Sequence, residues 1–428
     1  MATPPARSMP YRGRLCPFNY ARMYRSRNRG LVLMHSHLSP GWQALSWHDH
    51  QAESYHAGST ASVTGIPFLG LTLGTDGSWS GRFWRRTAPR SYIPAWCESV
   101  RVVGPAIEVT FHPQLRPEPE MREPLKRTIG VWGRRGQALL SRLHVGIVGL
   151  GNVGSIICEL LTRMGIQRLT LIDFDSVEEL NLDRILNAVS SDIGRLKIHV
   201  AGDAAERNHT SGSIRVGRVD ASVAEPQGYR AALDCDVLFS CVDRHRPRRI
   251  LNYISYAHLI PVIDGGILVR LHKQRLVGSD WHAHTAGPGR RCLECWGAFD
   301  PSVVGLERDG LLDDPSYIRQ LDPSDVLLRH ENVIPFSTSL ASLEVLQLAA
   351  LALGPLHNVG DQNYHFVGGA FDRTEDRGCD NQCLYPSLLG TADLVCCPTG
   401  RDISAERKRE SRRNVRLHCH PCIPIMDK

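Results

Sequence analysis

The middle of the chain alternates between short apolar runs and amphipathic stretches. Residues 144–149 (HVGIVG) and 168–173 (RLTLID) have the continuous apolar pattern of buried strands, and residues 152–164 between them have a helical pattern. Further strands are predicted at 213–219, 237–242 and 260–264, with helices between them. This order predicts an α/β fold with a mostly parallel sheet and helices on both faces.

The first part of the chain has weaker periodicity and ends in a segment rich in proline. Short β-like runs at 31–34, 68–73 and 99–103 predict a small α+β domain over residues 31–111. Residues 112–126 (HPQLRPEPEMREPLK) contain four prolines and alternating charges, which disfavour helix and sheet alike. We therefore predict a linker at 112–126 and place the α/β domain at 127–390.

Basic residues are concentrated at the two ends of the chain. Residues 1–34 contain seven arginines and no acid, and residues 400–428 contain eight basic and four acidic side chains, so the net charge of +6 leaves the body at about −5. We predict basic, disordered ends at 1–30 and 391–428. A body with this charge is not expected to bind nucleic acid through a groove.

The apolar segments and the cysteines indicate the cellular compartment in which the protein is expected. No apolar run reaches the roughly 18 residues of a membrane helix. The most apolar candidate, 337–353, is interrupted by Glu344 and Gln347, which predicts a buried or interface helix. The N-terminal arginines are not followed by the apolar core of a secretory signal, so we expect a cytoplasmic protein that does not contact a membrane. In a reducing compartment, close pairs among the thirteen cysteines are better explained as metal ligands than as disulfides.

A glycine-rich turn joins the first predicted strand of the α/β domain to its helix. Gly149, Gly151 and Gly154 occupy the position at which bare backbone N–H groups and a helix N-terminus bind phosphate. Asp173 follows Gly154 by 19 residues at the end of the next strand, where a carboxylate accepts hydrogen bonds from ribose hydroxyls. This Rossmann-like arrangement would serve NAD and ATP equally well.

The segment after Asp173 favours ATP. It continues with the polar residues Asp175, Asn181, Arg184 and Lys197. Two cations beyond the ribose-binding acid suit a triphosphate, whereas the diphosphate of a dinucleotide is largely served by the glycine turn. A later strand (VLFSCVD) ends in Asp243, which is well placed to hold Mg²⁺ against the phosphates.

In order and spacing, these residues resemble those of the ThiF/MoeB superfamily, the bacterial relatives of ubiquitin-activating enzymes, over residues 126–386. The resemblance implies that Asp173 binds ribose and that Asp243 binds magnesium. It also implies that the catalytic phosphate contacts come from Asn181, Arg184 and Lys197.

The same resemblance implies a homodimer. Superfamily members often begin with an arginine-bearing segment that ends in Gly-Gln and reaches the ATP of a neighbouring subunit. The counterpart here is KRTIGVWGRRGQ, in which Arg127 is the candidate and Arg134 and Arg135 are alternatives.

Two close cysteine pairs are present, Cys292 with Cys295 and Cys379 with Cys383. Four thiolates in two close pairs suit a structural zinc ion, and the superfamily resemblance agrees. The competing pairs are Cys396 with Cys397 and Cys419 with Cys422. The first assignment would tie the far end of the chain to its core and would leave Cys419 and Cys422 as a reactive thiol pair in the tail.

A covalent carrier step on this chain is not expected. Residues 296–378 contain no cysteine, although superfamily members that form a thioester or persulfide usually carry a reactive one after the first zinc pair. Cys158 lies in a helix and Cys241 on a buried strand, where both are expected to fill the core. We therefore predict adenylation without a stable thioester.

A histidine motif near the N-terminus suggests a second metal site. In the segment LVLMHSHLSPGWQALSWHD, His35 and His37 alternate on one strand and point the same way, and Asp49 would complete a zinc site. The segment resembles the Jab/MPN (JAMM) metalloproteases, which implies that Ser46 supports the transition-state oxyanion. The general-base glutamate of that family lies upstream, yet nothing acidic precedes Asp49. The domain is therefore either degenerate and used for binding, or truncated.

These features together predict a ubiquitin-like modifier-activating, ThiF-type adenylyltransferase. It would use ATP and Mg²⁺ to adenylate the C-terminal carboxylate of a small ubiquitin-like or sulfur-carrier protein of the β-grasp type. Two alternatives stay open. One is an NAD-dependent oxidoreductase, against which Asn181, Arg184, Lys197 and the cysteine pairs argue, and the other is a non-catalytic scaffold that binds nucleotide and partner.

Overall fold

A computed structural model describes residues 30–273, 275–319, 332–354, 360–374, 378–392 and 399–418. The chain divides into two compact units, one formed by residues 1–100 and 110–115 and the other by residues 101–109 and 116–428. A two-stranded sheet comprises β5 (Ser99–Val103) and β6 (Ile107–Phe111). The predicted start at 1–29, Cys396, Cys397, Cys419 and Cys422 lie outside the described residues.

The smaller unit is a mixed sheet with one long helix. Its elements are β1 (Leu31–Ser36), α1 (Trp47–Thr64), β2 (Phe68–Leu73), β3 (Trp79–Ala88) and β4 (Ser91–Trp96). The strands follow one another in space in the order β1-β2-β3-β4. Strand β1 is parallel to β2, because α1 connects them, and the remaining pairs are antiparallel.

A buried ion pair organises the core of the smaller unit. Glu53, on α1, accepts hydrogen bonds from two guanidinium nitrogens of Arg82 and from the indole N–H of Trp84. The side chains of Glu53 and Arg82 are 1% and 0% exposed. A fully buried pair of this kind is stable only because each charge has its partner.

The larger unit is built on an eight-stranded sheet. Its strands are β7 (His144–Val148), β8 (Arg168–Ile172), β9 (Arg215–Val219), β10 (Val237–Ser240), β11 (Val262–His272), β12 (Arg275–Ala286), β13 (Gln362–His365) and β14 (Ala370–Arg373). The spatial order is β14-β13-β12-β11-β10-β7-β8-β9. The neighbouring strands β11, β10, β7, β8 and β9 are parallel. Strands β12, β13 and β14 extend the sheet beyond β11 in antiparallel pairs.

Helices cover both faces of this sheet. They are α2 (Lys126–Arg142), α3 (Asn152–Arg163), α4 (Lys197–Asn208), α5 (Pro226–Leu233), α6 (His245–Ala257), α7 (Leu293–Trp296), α8 (Pro301–Arg308), α9 (Pro315–Ile318), α10 (Ile334–Leu353) and α11 (Ile403–His418). The connections from β7 to β8 and from β8 to β9 advance toward one edge of the sheet, whereas those from β9 to β10 and from β10 to β11 run in the opposite direction. Because such crossovers are right-handed, α3 and α4 lie on one face of the sheet and α5 and α6 on the other. The predicted α/β fold is therefore confirmed.

Strand order explains why the central strands are uniformly apolar. Strands β7 and β10 lie side by side in the middle of the sheet, and every residue of both is buried. A strand covered on both faces has no polar side, which is why its sequence reads as a continuous apolar run. The order of strands reverses between β7 and β10, and a crevice opens at the carboxyl ends of strands at such a point.

Helix α10 contains the most apolar segment of the chain. Among the described residues, it is the one helix that is long and apolar enough to cross a membrane, and 56% of the relevant window is buried inside the protein. It packs against α3, β11 and β12. Glu344 in its middle is fully buried, which raises its pKa well above the ordinary value, and Gln347 accepts a hydrogen bond from Thr285. These features are those of a core helix.

Two predicted boundaries differ from the structure. Lys126 is already the first residue of α2, and Leu125 before it is 2% exposed, so the end of the predicted linker is folded. The predicted disordered tail at 391–428 is wrong for its described part, because α11 spans Ile403–His418 and Ala405 is 0% exposed. The prediction rested on the charge composition of the tail, which does not show that cations of α11 pair with acidic residues elsewhere in the chain.

Removing the buried carboxylate should destabilise the smaller unit. In Glu53→Ala, the guanidinium of Arg82 would stay buried without a counter-charge, which costs about 3–5 kcal/mol. We expect the urea unfolding midpoint, followed by tryptophan fluorescence, to fall accordingly. The matched control Gln51→Ala changes an exposed side chain of the same helix and should alter stability by less than about 0.5 kcal/mol. Equal midpoints for the two variants would contradict the role of the pair.

Candidate active site

A cavity of about 1090 Å³ opens at the carboxyl ends of the parallel strands of the larger unit. It brings together most of the nucleotide-site residues expected from the sequence. Those that line it are Gly149, Gly151, Asp173, Asp175, Asn181, Arg184, Lys197 and Asp243. Gly154 lies just behind, in the first turn of α3. The cavity is large enough for a nucleotide together with the end of a peptide.

Two of the three glycines in the turn are required by close contacts. Gly149 has φ +92°, and a Cβ there would lie 2.4 Å from the carbonyl oxygen of Cys241. A Cβ on Gly154 would lie 1.9 Å from the carbonyl oxygen of Gly149. Gly151, which caps the N-terminus of α3, has no heavy atom within 4 Å of its Cβ position and faces the cavity. The turn therefore packs tightly behind and presents bare backbone in front.

Asp173 connects the glycine turn to the end of β8. Its two carboxylate oxygens accept hydrogen bonds from the backbone N–H groups of Leu150 (2.5 Å) and Asp175 (2.6 Å). Burial raises the pKa of Asp173, while the charge of Lys197 opposes that rise. Because each carboxylate oxygen has two lone pairs, Asp173 can still accept hydrogen bonds from a ligand in the cavity.

Lys197 and Asp175 form an ion pair inside the cavity. The Nζ atom of Lys197 lies 3.0 Å from Oδ2 of Asp175, and the backbone N–H of Lys197 donates to the carbonyl of Asp175. Burial lowers the pKa of Lys197, but Asp173 and Asp175 outweigh it and raise the pKa above its ordinary value. Burial raises the pKa of Asp175, but Lys197 and Lys408 bring it below its ordinary value. Both side chains are therefore charged at neutral pH.

Arg184 also lines the cavity, directly after a short 3-10 helix at Glu179–Asn181. Its Nη1 atom donates to Oδ1 of Asp183 at 2.9 Å, and its side chain is 25% exposed. Since a guanidinium has five N–H donors, this contact leaves others for a ligand. Asn181 uses its side-chain oxygen to accept from the backbone N–H of Glu178, which fixes the short helix.

Asp243 follows β10 and is exposed to the cavity. Its negative charge helps to raise the pKa of Lys197, so the two groups face a common space. The neighbouring Arg244 is held by both carboxylate oxygens of Asp313, at 3.0 and 2.6 Å. An accessible carboxylate with oxygen ligands free for a hard cation is a suitable magnesium ligand.

Several further ionisable side chains line the cavity that the motif pattern did not single out. Glu307, Arg248 and Lys408 are among them. Glu307 accepts hydrogen bonds from the backbone N–H groups of His245 (3.1 Å) and Arg246 (2.6 Å), and burial raises its pKa. The guanidinium of Arg248 contacts Asp264 at 3.1 Å. Their positions depend on contacts between distant segments, so no local signal could have found them.

Arg127, Arg134 and Arg135 lie on helix α2, and none of them lines the cavity. The helix has a kink at Gly133, where φ is +72°. A role for one of these arginines at the ATP of a neighbouring subunit stays a prediction.

The two cysteine pairs expected to bind zinc come together in the larger unit. The ligand atoms of Cys292, Cys295, Cys379 and Cys383 all lie within 4.8 Å of one another. The Sγ atoms of Cys292 and Cys383 are 3.7 Å apart. In a tetrahedral site with Zn–S bonds of about 2.3 Å, neighbouring sulfur atoms lie about 3.8 Å apart. The four thiols therefore fit a zinc ion.

His35, His37 and Asp49 form a second cluster, in the smaller unit. The Nε2 atom of His37 lies 3.2 Å from Nε2 of His35 and 3.0 Å from Oδ2 of Asp49. Burial lowers the pKa of His35, although Asp49 opposes it. Ser46 caps helix α1 by accepting from the backbone N–H of Asp49, whose carboxylate accepts from the backbone N–H of Ser46.

Glu53 lies next to this cluster, one turn further along α1 than Asp49. An oxygen of Glu53 is 3.9 Å from Nδ1 of His35. Both of its oxygens are engaged by Arg82 and one by Trp84. A carboxylate bound in this way is a poor proton acceptor, so Glu53 does not replace the general base that the sequence lacks.

The fold of the larger unit is that of the ThiF/MoeB superfamily. The ThiF family matches residues 125–358, which is more than half of the chain, and the chain belongs to that family. This membership confirms the superfamily implied by the sequence motifs. The match begins at the start of α2 and includes the whole glycine turn and the cations after it.

Relatives of known activity are similar over part of the chain. The molybdopterin-synthase adenylyltransferase of Escherichia coli (strain K12) is 29% identical over 160 residues, which is 37% of this chain and 61% of that protein. The ubiquitin-like modifier-activating enzyme 5 of Caenorhabditis elegans is 33% identical over 183 residues, 39% of this chain and 41% of that protein. This chain thus spans at most 61% of the length of such relatives.

One solved structure with a similar arrangement is that of E. coli MccB with ATP. It is 17% identical, has a TM-score of 0.46, and the match covers 62% of this chain and 74% of that one.

Adding a methyl group to the glycine turn should destabilise the larger unit at Gly154 but not at Gly151. In Gly154→Ala, the new methyl group would overlap the carbonyl of Gly149, which must move, at a cost of about 1–3 kcal/mol. In Gly151→Ala the methyl group meets open space, so stability should change by less than about 0.5 kcal/mol. Thermal unfolding of the two variants, measured by calorimetry without nucleotide, tests this difference. Equal melting temperatures would show that the turn is not tightly packed.

Proposed function

We propose that this chain adenylates the C-terminal carboxylate of a small ubiquitin-like or sulfur-carrier protein, using ATP. The observation that carries the proposal is the charged pair of Lys197 and Asp175, which lies with Arg184 in the cavity in front of the glycine turn. A triphosphate needs cations in addition to the backbone N–H groups of the turn, and this cavity supplies them. The activities that name the two partial relatives, molybdopterin-synthase adenylylation and the activation of a ubiquitin-like modifier, support the same class of substrate.

In the proposed reaction these groups bind and orient the two reactants. A terminal carboxylate oxygen of the carrier attacks the α-phosphorus of ATP and forms a P–O bond. The bond from that phosphorus to the oxygen bridging to the β-phosphate breaks, and pyrophosphate leaves with the electron pair. The product is a carrier acyl-adenylate. Lys197 and Arg184 neutralise the charge that develops on the phosphates, and Asp173 orients the ribose.

Asp243 would hold Mg²⁺ against the phosphates. Its carboxylate is accessible from the cavity, and carboxylate oxygens are ligands that Mg²⁺ prefers. The ion, when bound, would offset part of the phosphate charge.

The described cysteines outside the four-cysteine cluster support adenylation without a stable thioester. Burial raises the pKa of Cys97, raises that of Cys158 and of Cys235 to about 12, and raises that of Cys241 well above its ordinary value. A thiol is nucleophilic as the thiolate, so none of these four is activated. In this proposal the acyl-adenylate passes to a nucleophile supplied by another molecule.

We further propose a structural Zn²⁺ on the four-cysteine cluster and a second Zn²⁺ on His35, His37 and Asp49. The close approach of the ligand atoms in each cluster supports both. The smaller unit would then be a degenerate Jab/MPN-like domain that binds without efficient hydrolysis, since Glu53, whose carboxylate lies beside His35, is engaged by Arg82. A homodimer and a cytoplasmic location belong to the same proposal.

Removing the magnesium carboxylate should abolish activity without unfolding the protein. For Asp243→Ala we expect carrier-dependent exchange of labelled pyrophosphate into ATP to fall at least ~100-fold, because charge at the reacting phosphates is no longer neutralised. A small β-grasp protein ending in glycine, from the same genome, serves as the carrier. The control Asp309→Ala removes an exposed carboxylate outside the cavity and should leave exchange unchanged. Full exchange by Asp243→Ala, or tight NADH binding by the wild type, would contradict the proposal.

Metal analysis tests the zinc sites separately. We expect Cys383→Ser to lose one equivalent of zinc per chain and to unfold at a lower temperature, because the cluster joins the segment after β14 to that before α7. His37→Ala should lose a different equivalent, and Cys97→Ser should retain both. Elemental analysis of the three purified proteins gives the answer. Wild-type protein without zinc would exclude both sites.

A further inference from the structure

Helix α11 lies against the carboxyl edge of the sheet, although its basic composition predicted a solvated tail. Three of its cations pair with carboxylates that follow β8 and β9. These pairs are Lys408 with Asp175, Arg409 with Glu225, and Arg412 with Asp220. Arg412 binds both oxygens of Asp220 at 2.9 Å and also donates to the carbonyl of Phe174. Several pairs with bidentate arginines hold a helix more firmly than one exposed pair does.

Hydrogen bonds also hold α11 and the residues just before it on the opposite side of the cavity. Arg407 donates to the carbonyl of Asp313 at 2.5 Å, and Arg246 on α6 donates to the carbonyl of Arg401 at 2.7 Å. Asp402, Ser404 and Lys408 themselves line the cavity. The start of α11 therefore bridges the two sides of the crevice and forms one of its walls.

Lys408 shares a carboxylate with the buried Lys197. Its Nζ atom lies 2.5 Å from Oδ1 of Asp175, while Nζ of Lys197 lies 3.0 Å from Oδ2 of the same group. The ammonium of Lys408 also lies 5.6 Å from the ring centre of Phe174. Two ammonium groups on one carboxylate leave one positive charge that this carboxylate does not neutralise, and such a charge suits an anionic group bound beside it.

We propose that α11 is part of the nucleotide site and that Lys408 binds the phosphates of ATP beside Lys197. This inference rests on the proposed function, because it takes the crevice to bind ATP. The pairs of Arg409 and Arg412 are the anchors that position Lys408. Lys408 is not part of the motifs that relate this chain to its family. A role in phosphate binding would explain why this cation lines the cavity.

The test is calorimetric titration of the full-length protein with ATP and Mg²⁺ at fixed salt. In Lys408→Met the aliphatic stem over Phe174 is retained and the charge is lost. We expect the Kd for ATP to rise about tenfold, as for one charge-assisted hydrogen bond. Adenosine has no phosphate, so its Kd should not change. Lys408→Arg should recover most of the affinity for ATP.

Two further variants separate binding from folding. Arg413→Ala removes an exposed cation of the same helix and should bind ATP like the wild type. The double variant Arg409→Ala with Arg412→Ala keeps Lys408 but loses its anchors, and it should also bind ATP more weakly. Melting temperatures without nucleotide show whether each variant is folded.

The outcomes are distinct. If Lys408→Met binds ATP as tightly as the wild type or more tightly, or if its affinity for adenosine falls equally, the inference is wrong. If the wild type itself does not bind ATP, the proposed function fails as well. If the wild type binds ATP, and Lys408→Met and the double variant bind it more weakly while Arg413→Ala and Lys408→Arg largely keep the affinity, both are supported.

Discussion

Negative charge gathers at the carboxyl edge of the parallel sheet, and the site depends on how this charge is balanced. Asp173, Asp175 and Asp243 all follow strands that end at this edge. Burial of such carboxylates favours their neutral forms unless cations lie beside them. Lys197 is the cation in the centre, and the carboxylates raise its pKa in return. The crevice is thus already charged and arranged before a nucleotide enters, which is what a phosphate-transfer site requires.

The residues proposed to carry the chemistry also support the fold. Asp173 ties the glycine turn to β8 through two backbone N–H groups, so the acid assigned to ribose is fixed by the backbone it supports. Lys197 begins helix α4, where its backbone N–H and its ammonium both bind Asp175. Substitution of either residue therefore perturbs local structure as well as ligand binding. This coupling explains why stability has to be measured together with activity.

The two candidate metal clusters differ in their surroundings. The four cysteines pack against the apolar core beside α6, and one of them, Cys292, is fully buried. The histidines and Asp49 are half-exposed, with side chains between 21% and 26% exposed. A closed thiolate set is typical of a structural zinc ion, whereas an accessible set with three protein ligands leaves a position for water or substrate. Beside the second set, Arg82 binds the carboxylate of Glu53, so this carboxylate is not free to act as a base.

Local sequence determined much of this protein. The apolar runs located β7 to β11, the glycine turn and Asp173 located the crevice, and the spacing of the cysteine pairs located the thiol cluster, because each signal lies within one element or at its end. Only the tertiary structure determined where α11 lies and which carboxylates it contacts. Lys408 and Asp175 are separated by 233 residues, and an excess of basic residues in a tail does not reveal which carboxylates it will meet. The same holds for Glu307 and for the pairing of Glu53 with Arg82, whose roles arise from packing between segments far apart in the chain.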